Sequence, residues 1–213
     1  MSRYNYIAIE GNIGAGKTSL AHRLSPAIGG KLLLESYAEN PFLPAFYAAP
    51  ERFAFQLELS FLAERYNQLQ TDLARRNLFE PIVVSDYVIH KCLMFANINL
   101  DSATYRLYRS IFNVMVPKPP FPDLLIYIHT PVEYLLKNIS ERGRPYEKDI
   151  QADYLQRIEK EYFKFLRKLR NRRIAVIETG GLCPAADEFM PRWEKFLQKP
   201  ITVGLQIIPL QQL

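Results

Sequence analysis

The stretch EGNIGAGKTSL, Glu10 to Leu20, fits the pattern G-x-x-x-x-G-K-[ST]. The apolar run YNYIAI precedes it and KTSLAHRL follows it, which predicts the strand, glycine-rich turn and helix that this motif requires. A chance glycine-rich turn is the alternative, but it would have to match motif and context together. Backbone N–H groups of such a turn surround a polyphosphate, Lys17 reaches its terminal phosphates, and the Thr18 hydroxyl binds Mg²⁺. The predicted donor is therefore ATP or another nucleoside triphosphate. The residues predicted to bind it are Gly11, Asn12, Ile13, Gly14, Ala15, Gly16, Lys17 and Thr18.

Length and composition favour one globular domain over residues 1–213, since 48% of the residues are hydrophobic and 23% are charged. The first strand is predicted within a few residues of Met1, and no apolar run approaches the ~20 residues that span a bilayer. Cys92 and Cys183 lack the spacing of a zinc site or a disulfide framework, so both are expected to be reduced thiols. We therefore expect a cytoplasmic protein without a membrane partner.

The net charge of +5 raises the question of nucleic-acid binding, and the densest basic run is FKFLRKLRNRR at 163–173. In the preceding YLQRIEKEY, Glu159 and Glu161 alternate with Arg157 and Lys160, which is typical of a solvated face of an amphipathic helix. The chain contains neither a recognised nucleic-acid-binding module nor the usual surface pattern of basic and aromatic residues. Nucleic acid is therefore not an expected partner.

Short apolar runs alternate with helical segments along the chain. This alternation predicts an α/β fold, with a parallel five-stranded sheet covered by helices on both faces. The predicted strands are YIAI at 6–9, KLLLE at 31–35, PIVVSD at 81–86, DLLIYIH at 123–129 and RIAVIE at 173–178. The predicted helices lie near 17–26, 51–76, 88–116 with a break, 131–141, 150–170 and 185–198. The tail at 198–213 receives no predicted role. In open sheets of this kind, ligands bind at the carboxyl ends of the strands.

Two acidic residues follow predicted strands at that edge. Asp86 ends the third strand and suits a Mg²⁺ partner beside a bound triphosphate. Glu35 ends the second strand and is then free to take the proton that a hydroxyl acceptor loses as it attacks phosphorus. A phosphate acceptor would instead require an arginine there. The alternative for Glu35 is a helix-capping or surface acid.

Several further segments, in order and spacing, resemble the deoxynucleoside kinases, especially their bacterial purine-preferring branch. They are GNIGAGKT, the acid after the second strand, YAAPERFAFQLELSFLAERY, SDYVIHKCLMFA, PDLLIYIHTPVE and ERGRPYEKDIQADYL. The resemblance covers about residues 7–178. It implies a P-loop kinase fold with an arginine-rich lid near 142–147, and transfer of the ATP γ-phosphate to the 5′-hydroxyl of a deoxynucleoside. It also implies a homodimer formed through helices.

The resemblance also implies roles for individual residues. Glu35 would be the base near the 5′-hydroxyl, and Tyr47 and Glu147 would hold the sugar 3′-hydroxyl. Arg142 and Arg144 would be lid arginines that close over the phosphates, as guanidinium groups on a glycine-containing loop can. Phe95 would stack against the base. From the residues alone, the alternative for the two arginines is a pair of solvated loop charges, and the alternative for Phe95 is a core aromatic.

At position 58 the chain departs from the family pattern, because Glu58 stands where these kinases usually carry a glutamine that pairs with the base. Glutamine donates and accepts hydrogen bonds, whereas an ionised glutamate only accepts them. Glu58, Phe61, Leu62 and Arg65 fall at i, i+3, i+4 and i+7, which suits a base pocket and equally an ordinary helix face. The expected acceptor is a purine deoxynucleoside, deoxyadenosine first and deoxyguanosine second.

A second departure follows the third strand, where the family pattern is acid, Arg, Ser and this chain has Asp86, Tyr87 and Val88. Either another cation replaces the arginine, or the protein binds nucleotides without efficient transfer. If a helix begins at Tyr87, Lys91 lies one turn further on the same face and is the candidate cation. Its alternative is a solvated surface lysine. A nucleotide kinase resembling thymidylate kinase is a further alternative, although Glu35 would repel an acceptor phosphate.

Overall fold

The computed structural model describes residues 4–35, 40–73, 82–118 and 120–213, with the backbone alone described at 72 and 73. Its strands are β1 Tyr6–Gly11, β2 Lys31–Leu33, β3 Val83–Ser85, β4 Leu124–His129, β5 Arg173–Glu178 and β6 Gly204–Pro209. Its α-helices are α1 Lys17–Ala27, α2 Phe42–Ala48, α3 Pro50–Gln68, α4 Lys91–Asn99, α5 Ser102–Met115, α6 Val132–Arg142, α7 Ala152–Lys168 and α8 Met190–Gln198. No helix within these ranges is both long and apolar enough to cross a membrane.

The six strands form one sheet in the order β2-β3-β1-β4-β5-β6, and every neighbouring pair is parallel. This confirms the predicted parallel α/β fold and adds a sixth strand to the five that were predicted. Because all strands run the same way, the chain after β1, β2 and β3 leaves the sheet at one edge. The P-loop, Glu35 and Asp86 therefore come together at that edge.

Alternation along β1 divides the core between the two faces of the sheet. Ile7 and Ile9 belong to a buried cluster that includes α1 and α8, whereas Tyr6 and Ala8 belong to a cluster that includes α4 and α7. All four residues are at most 7% exposed. Helices thus cover both faces, and the polar residues of the site are left at the strand ends.

The predicted helix over 88–116 is wrong at its start, because α4 begins at Lys91 and Tyr87 lies outside it. Two side chains contact the backbone just before this start. Glu10 Oε1 accepts a hydrogen bond from the Val88 N–H at 2.8 Å, and Ser85 Oγ donates to the Tyr87 carbonyl at 2.7 Å. These side-chain-to-backbone hydrogen bonds anchor Tyr87 and Val88 ahead of the helix.

Two helical regions also differ from the prediction. Helix α2 was not predicted, because Pro41 and Pro44 in ENPFLP favour a turn, yet both lie early enough in a helix to be tolerated. The predicted helix over 51–76 is α3, followed by one π-helical turn at Leu69–Leu73; residues 74–76 lie outside the described ranges.

The C-terminal tail is anchored by Leu210, which is 1% exposed and packs in the same core cluster as α1 and α8. We predict that Leu210→Ala lowers the free energy of unfolding by about 2–5 kcal/mol, because it removes buried methyl groups and leaves a cavity. Urea denaturation measures the loss. The control is Ile207→Thr on β6, where the side chain is 57% exposed and the cost should be within about 0.5 kcal/mol. Equal losses in the two variants would contradict anchoring by Leu210.

Candidate active site

The loop between β1 and α1 has the geometry of a phosphate cradle. Gly14 has φ 81°, and a Cβ there would lie 2.8 Å from the carbonyl oxygen of Leu135, so a side chain is excluded. Gly16, with φ 82°, precedes α1, and no side chain caps the first turn of that helix. The N–H groups of this turn are therefore available to an anion, and the helix dipole favours one.

Three side-chain hydrogen bonds hold this loop. Asn12 Nδ2 donates to the Leu155 carbonyl, and Asn138 Nδ2 donates to the Gly14 carbonyl, both at 2.8 Å. Lys17 Nζ donates to the Asn12 carbonyl at 2.8 Å. Burial, together with the nearby charge of Lys91, lowers the pKa of Lys17 to about 8. A polyphosphate would reverse that shift by supplying negative charge beside the ammonium.

A cavity of about 310 Å³ opens beside the P-loop. Of the residues predicted for the site, Gly11 and Asn12 do not line it; Gly11 ends β1, and Asn12 is a buried residue at the start of the loop. All the others line it, namely Ile13, Gly14, Ala15, Gly16, Lys17, Thr18, Glu35, Tyr47, Glu58, Arg65, Asp86, Lys91, Phe95, Arg142, Arg144 and Glu147. The structure thus gathers residues from several helices and loops at one opening.

Thr18 and Asp86 make contact at the phosphate end of the cavity. Thr18 Oγ1 donates to Asp86 Oδ2 at 2.5 Å, and the Glu35 backbone N–H donates to Asp86 Oδ1 at 2.8 Å. A hydroxyl and a carboxylate at the start of α1 are the hard oxygen donors that Mg²⁺ prefers, and Mg²⁺ usually takes its remaining ligands from phosphates and water. The residues present therefore fit Mg²⁺.

Glu35 is clamped between two cations. Arg65 donates to Glu35 Oε1 from Nε at 2.9 Å and also from Nη2, and Lys91 Nζ donates to Oε2 at 2.7 Å. Burial alone would raise the pKa of Glu35, but the charges of Arg65 and Lys91 outweigh it and hold that pKa well below its ordinary value. Glu35 is therefore ionised, and it is neither a helix cap nor a surface acid.

Lys91 is 7% exposed, so the alternative of a solvated surface lysine is wrong. Its helix starts too late for the predicted i+4 relation to Tyr87, yet its ammonium reaches the cavity. Burial would lower the pKa of Lys91, but Glu35 and Glu10 raise it above its ordinary value and keep the side chain charged. Lys91 thus provides a cation beside Glu35, the candidate base, although position 87 is an uncharged tyrosine.

Tyr87 itself is 1% exposed and packs behind the cavity. Its hydroxyl donates to Gln68 Oε1 at 2.5 Å, and the Arg65 guanidinium carbon lies 5.9 Å from its ring centre. The ring centre of Phe61 lies 4.8 Å from the same carbon. These aromatic contacts fix the guanidinium that holds Glu35.

The lid region places both arginines against one acid. Arg142 ends α6, and its Nη2 donates to Glu147 Oε2, while Arg144 Nη1 donates to Glu147 Oε1 at 3.1 Å. Glu147 is 4% exposed, so the arginines are not freely solvated loop charges. Tyr47 from α2 stacks on Tyr146, with ring centres 5.8 Å apart, and lines the same cavity as Glu147.

The far end of the cavity contains residues that sequence reasoning missed. Asn99 Nδ2 donates to Glu58 Oε1 at 2.7 Å, and the Tyr154 hydroxyl donates to Asn99 Oδ1 at 3.3 Å. Phe95, one turn before Asn99 on α4, lines the same end. The i, i+4 spacing from Phe95 could have identified Asn99, whereas Tyr154 comes from α7 and no local signal marks it.

The family described as deoxynucleoside kinase matches residues 7–197 of this sequence. The chain belongs to the deoxynucleoside kinase family. Its members are ATP-dependent kinases, so this chain is an ATP-dependent deoxynucleoside kinase. Membership also favours a nucleoside hydroxyl as acceptor over the nucleotide acceptor of a thymidylate-kinase-like enzyme.

The relatives of this kinase include enzymes named for deoxyguanosine and enzymes named for deoxyadenosine. The deoxyguanosine kinase of Bacillus subtilis (strain 168) is 36% identical over 170 residues, which are 80% of this chain and 82% of that protein. The deoxyadenosine/deoxycytidine kinase of the same organism is 34% identical, over 73% of this chain and 74% of that protein. The deoxyadenosine kinase of Dictyostelium discoideum is 34% identical, over 81% and 70%.

Solved structures give the same architecture. Deoxyadenosine kinase from M. mycoides with bound dATP aligns with a TM-score of 0.77 and covers 91% of this kinase and 100% of that chain, at 22% identity. The same enzyme with bound dCTP also aligns with a TM-score of 0.77, over 90% and 98%. These likenesses establish the fold of the kinase, which is the P-loop kinase fold.

Proposed function

We propose that this kinase transfers the γ-phosphate of Mg·ATP to the 5′-hydroxyl of a purine deoxynucleoside, deoxyadenosine first and deoxyguanosine second. The observation that carries the proposal is that the P-loop lysine Lys17, the Thr18–Asp86 pair and the ionised Glu35 line one cavity. Such a cavity brings a donor phosphate and an acceptor hydroxyl within reach of each other. We include a role in nucleotide salvage, a cytoplasmic location and a homodimer in the proposal, on the strength of the family likeness.

At the donor end, the loop N–H groups and Lys17 would bind the β- and γ-phosphates. Thr18 and Asp86 would hold Mg²⁺, which neutralises charge on the phosphates when it is bound. Arg142 and Arg144 would break their ion pairs with Glu147 and bind the transferred phosphoryl group, where they would stabilise the negative charge that develops on it. That movement would free the Glu147 carboxylate for a sugar hydroxyl.

At the acceptor end, Tyr47 and Glu147 are the proposed partners of the sugar 3′-hydroxyl, and Phe95 is the proposed stacking partner of the base. Glu35 would accept the hydrogen bond of the 5′-hydroxyl and then its proton. A carboxylate with a low pKa is a weak base, but a loose phosphoryl-transfer transition state requires positioning more than basicity. If the acceptor displaces Arg65 or Lys91, the pKa of Glu35 rises and its basicity with it.

Lys91 is the proposed substitute for the family arginine that Tyr87 replaces. Its ammonium contacts Glu35 and lies close enough to Lys17 to affect the pKa of Lys17, so it lies between the donor and acceptor ends. The lysine ammonium is a compact charge, whereas the planar arginine guanidinium can bind two phosphate oxygens at once. A lysine therefore orients the phosphates less tightly. This placement favours transfer over nucleotide binding without transfer.

A substrate panel tests the function. With Mg·ATP, we expect the highest kcat/KM for deoxyadenosine, then deoxyguanosine, and little product from thymidine or from nucleoside monophosphates. Product formation is measured by separating nucleosides, monophosphates and diphosphates from one another. A higher efficiency on thymidine than on either purine would overturn the purine assignment, and binding without product would favour the non-catalytic alternative.

A further inference from the structure

Glu58 is a carboxyl group buried at the base end of the cavity, with 2% of the residue exposed. Its Oε1 accepts one hydrogen bond, from Asn99 Nδ2. The nearby cations Arg65 and Lys91 both direct their ion pairs at Glu35 instead. Among the described residues, no donor bonds to Glu58 Oε2, and that oxygen is left for a ligand in the cavity.

The surroundings of Glu58 shift the pKa of its carboxyl group towards neutral pH. Burial raises the pKa of Glu58 to about 7, although the Asn99 hydrogen bond and the charges of Arg65 and Lys91 oppose the rise. Titratable groups face it from each element packed around it. They are Arg65 on its own helix α3, Lys91 and Cys92 on α4, Tyr108 on α5, Tyr154 on α7, and Glu35 after β2.

The two protonation states of Glu58 present different hydrogen-bonding edges. A proton on Oε2 makes that oxygen a donor and leaves Oε1 as an acceptor, which is the pattern of glutamine. This edge matches adenine, which offers an N6–H₂ donor beside its N1 acceptor. An ionised Glu58 presents two acceptors, which match the adjacent N1–H and N2–H₂ donors of guanine. Asn99 can keep its bond to Oε1 in both states.

We propose that the protonation state of Glu58 selects the base, the neutral carboxyl binding deoxyadenosine and the carboxylate binding deoxyguanosine. The inference rests on the proposed function, since it needs a deoxynucleoside with its base against α3. It would explain how one pocket accommodates two purines whose hydrogen-bonding edges differ at N1, an acceptor in adenine and a donor in guanine. The isosteric substitution Glu58→Gln would fix the pocket in the adenine-binding pattern, because an amide does not titrate.

The direction of the pH dependence follows from linkage. As pH rises through the pKa of Glu58, the neutral fraction falls and the ionised fraction grows, so the efficiency on deoxyguanosine gains relative to that on deoxyadenosine. The ratio of the two efficiencies follows the ratio of ionised to neutral Glu58, which changes by about tenfold per pH unit. Steps shared by both substrates, including ATP binding and the chemistry at Glu35, cancel in that ratio.

The first test measures kcat/KM for both purine deoxynucleosides from about pH 5.5 to about pH 8, on both sides of the pKa of Glu58. The deoxyguanosine-to-deoxyadenosine ratio should rise with pH in the unchanged kinase and stay flat in Glu58→Gln, which should favour deoxyadenosine throughout. Deoxycytidine, whose N4–H₂ and N3 repeat the adenine pattern, should follow deoxyadenosine. A ratio that is constant in the unchanged kinase, or that rises equally in Glu58→Gln, overturns the inference.

Calorimetry of binding gives a second test that needs no turnover. Near pH 7, in buffers of different ionisation enthalpy, deoxyadenosine should take up protons on binding and deoxyguanosine should release them. Asn99→Ala removes a bond that favours the carboxylate, so it should move the kinetic crossover to higher pH. Binding of both purines with equal proton stoichiometry overturns the inference but leaves the proposed function intact. If no deoxynucleoside is bound or phosphorylated at any pH, the proposed function fails as well.

Discussion

Glu35→Gln is expected to lower kcat by about 100-fold or more, because it removes the carboxylate oxygen that receives the hydroxyl proton. The KM values for ATP and deoxynucleoside should change much less, since the amide nearly preserves the shape of the side chain. Steady-state kinetics with both substrates measures the two effects separately.

The structure indicates that Glu35→Gln also lowers the free energy of unfolding. Arg65 and Lys91 both lose their charged partner, and removing one member of a buried ion pair costs about 3–5 kcal/mol. Folding must therefore be checked by thermal unfolding and by calorimetric binding of ATP. Glu35→Asp is the companion variant, since it keeps the negative charge and withdraws it by one methylene. Turnover within a fewfold of the unchanged kinase in a folded Glu35→Gln protein would show that Glu35 is not the base.

Lys91→Ala is expected to lower kcat by roughly tenfold or more, which corresponds to about 1.4 kcal/mol or more of transition-state stabilisation. The physical reason is the loss of the ammonium that we propose stabilises charge on the reacting phosphate, and its contact with Glu35 holds it beside the candidate base. The KM for the deoxynucleoside should change less than kcat, because the charge acts on the group being transferred.

Three further variants separate charge from packing at this position. Lys91→Met keeps much of the volume without the charge and should lose as much turnover as Lys91→Ala. Lys91→Arg restores a cation and should recover a substantial part of it. Lys195→Ala removes an exposed lysine on α8 and should leave turnover unchanged. Unchanged turnover in a folded Lys91→Ala protein would leave Arg142 and Arg144 to supply the positive charge.

The parts of the fold that were predicted depend on signals within short stretches of sequence. The P-loop motif identifies β1 and α1, and the carboxyl-end rule for parallel strands selects Glu35 and Asp86. The i, i+7 spacing of Glu58 and Arg65 places them on one face of α3. The structure brings these residues to one cavity, and their roles remain predictions.

The features that were missed depend on contacts between distant segments. The Glu10 carboxylate binds the Val88 N–H just before α4, and Glu10 and Val88 are 78 positions apart. Strand β6 begins and ends at Gly204 and Pro209, residue types that are uncommon in strands, so its pairing with β5 has no strong local signal. The pairing of Asn99 with Glu58 crosses from α4 to α3. Tertiary packing sets all three, and a single sequence contains little information about it.

The cations around the cavity have oxygen partners before any nucleotide arrives, which affects how the nucleotide is captured. Lys17 is held by the Asn12 carbonyl, Arg65 and Lys91 by Glu35, and Arg142 and Arg144 by Glu147. These five cations share only two carboxylates, Glu35 and Glu147, because the partner of Lys17 is a neutral carbonyl. This group of residues therefore keeps a net positive charge, which attracts a polyphosphate from within a Debye length of about 8 Å. Association with ATP should slow as ionic strength rises, and after contact the cations would exchange their present oxygen partners for phosphate oxygens.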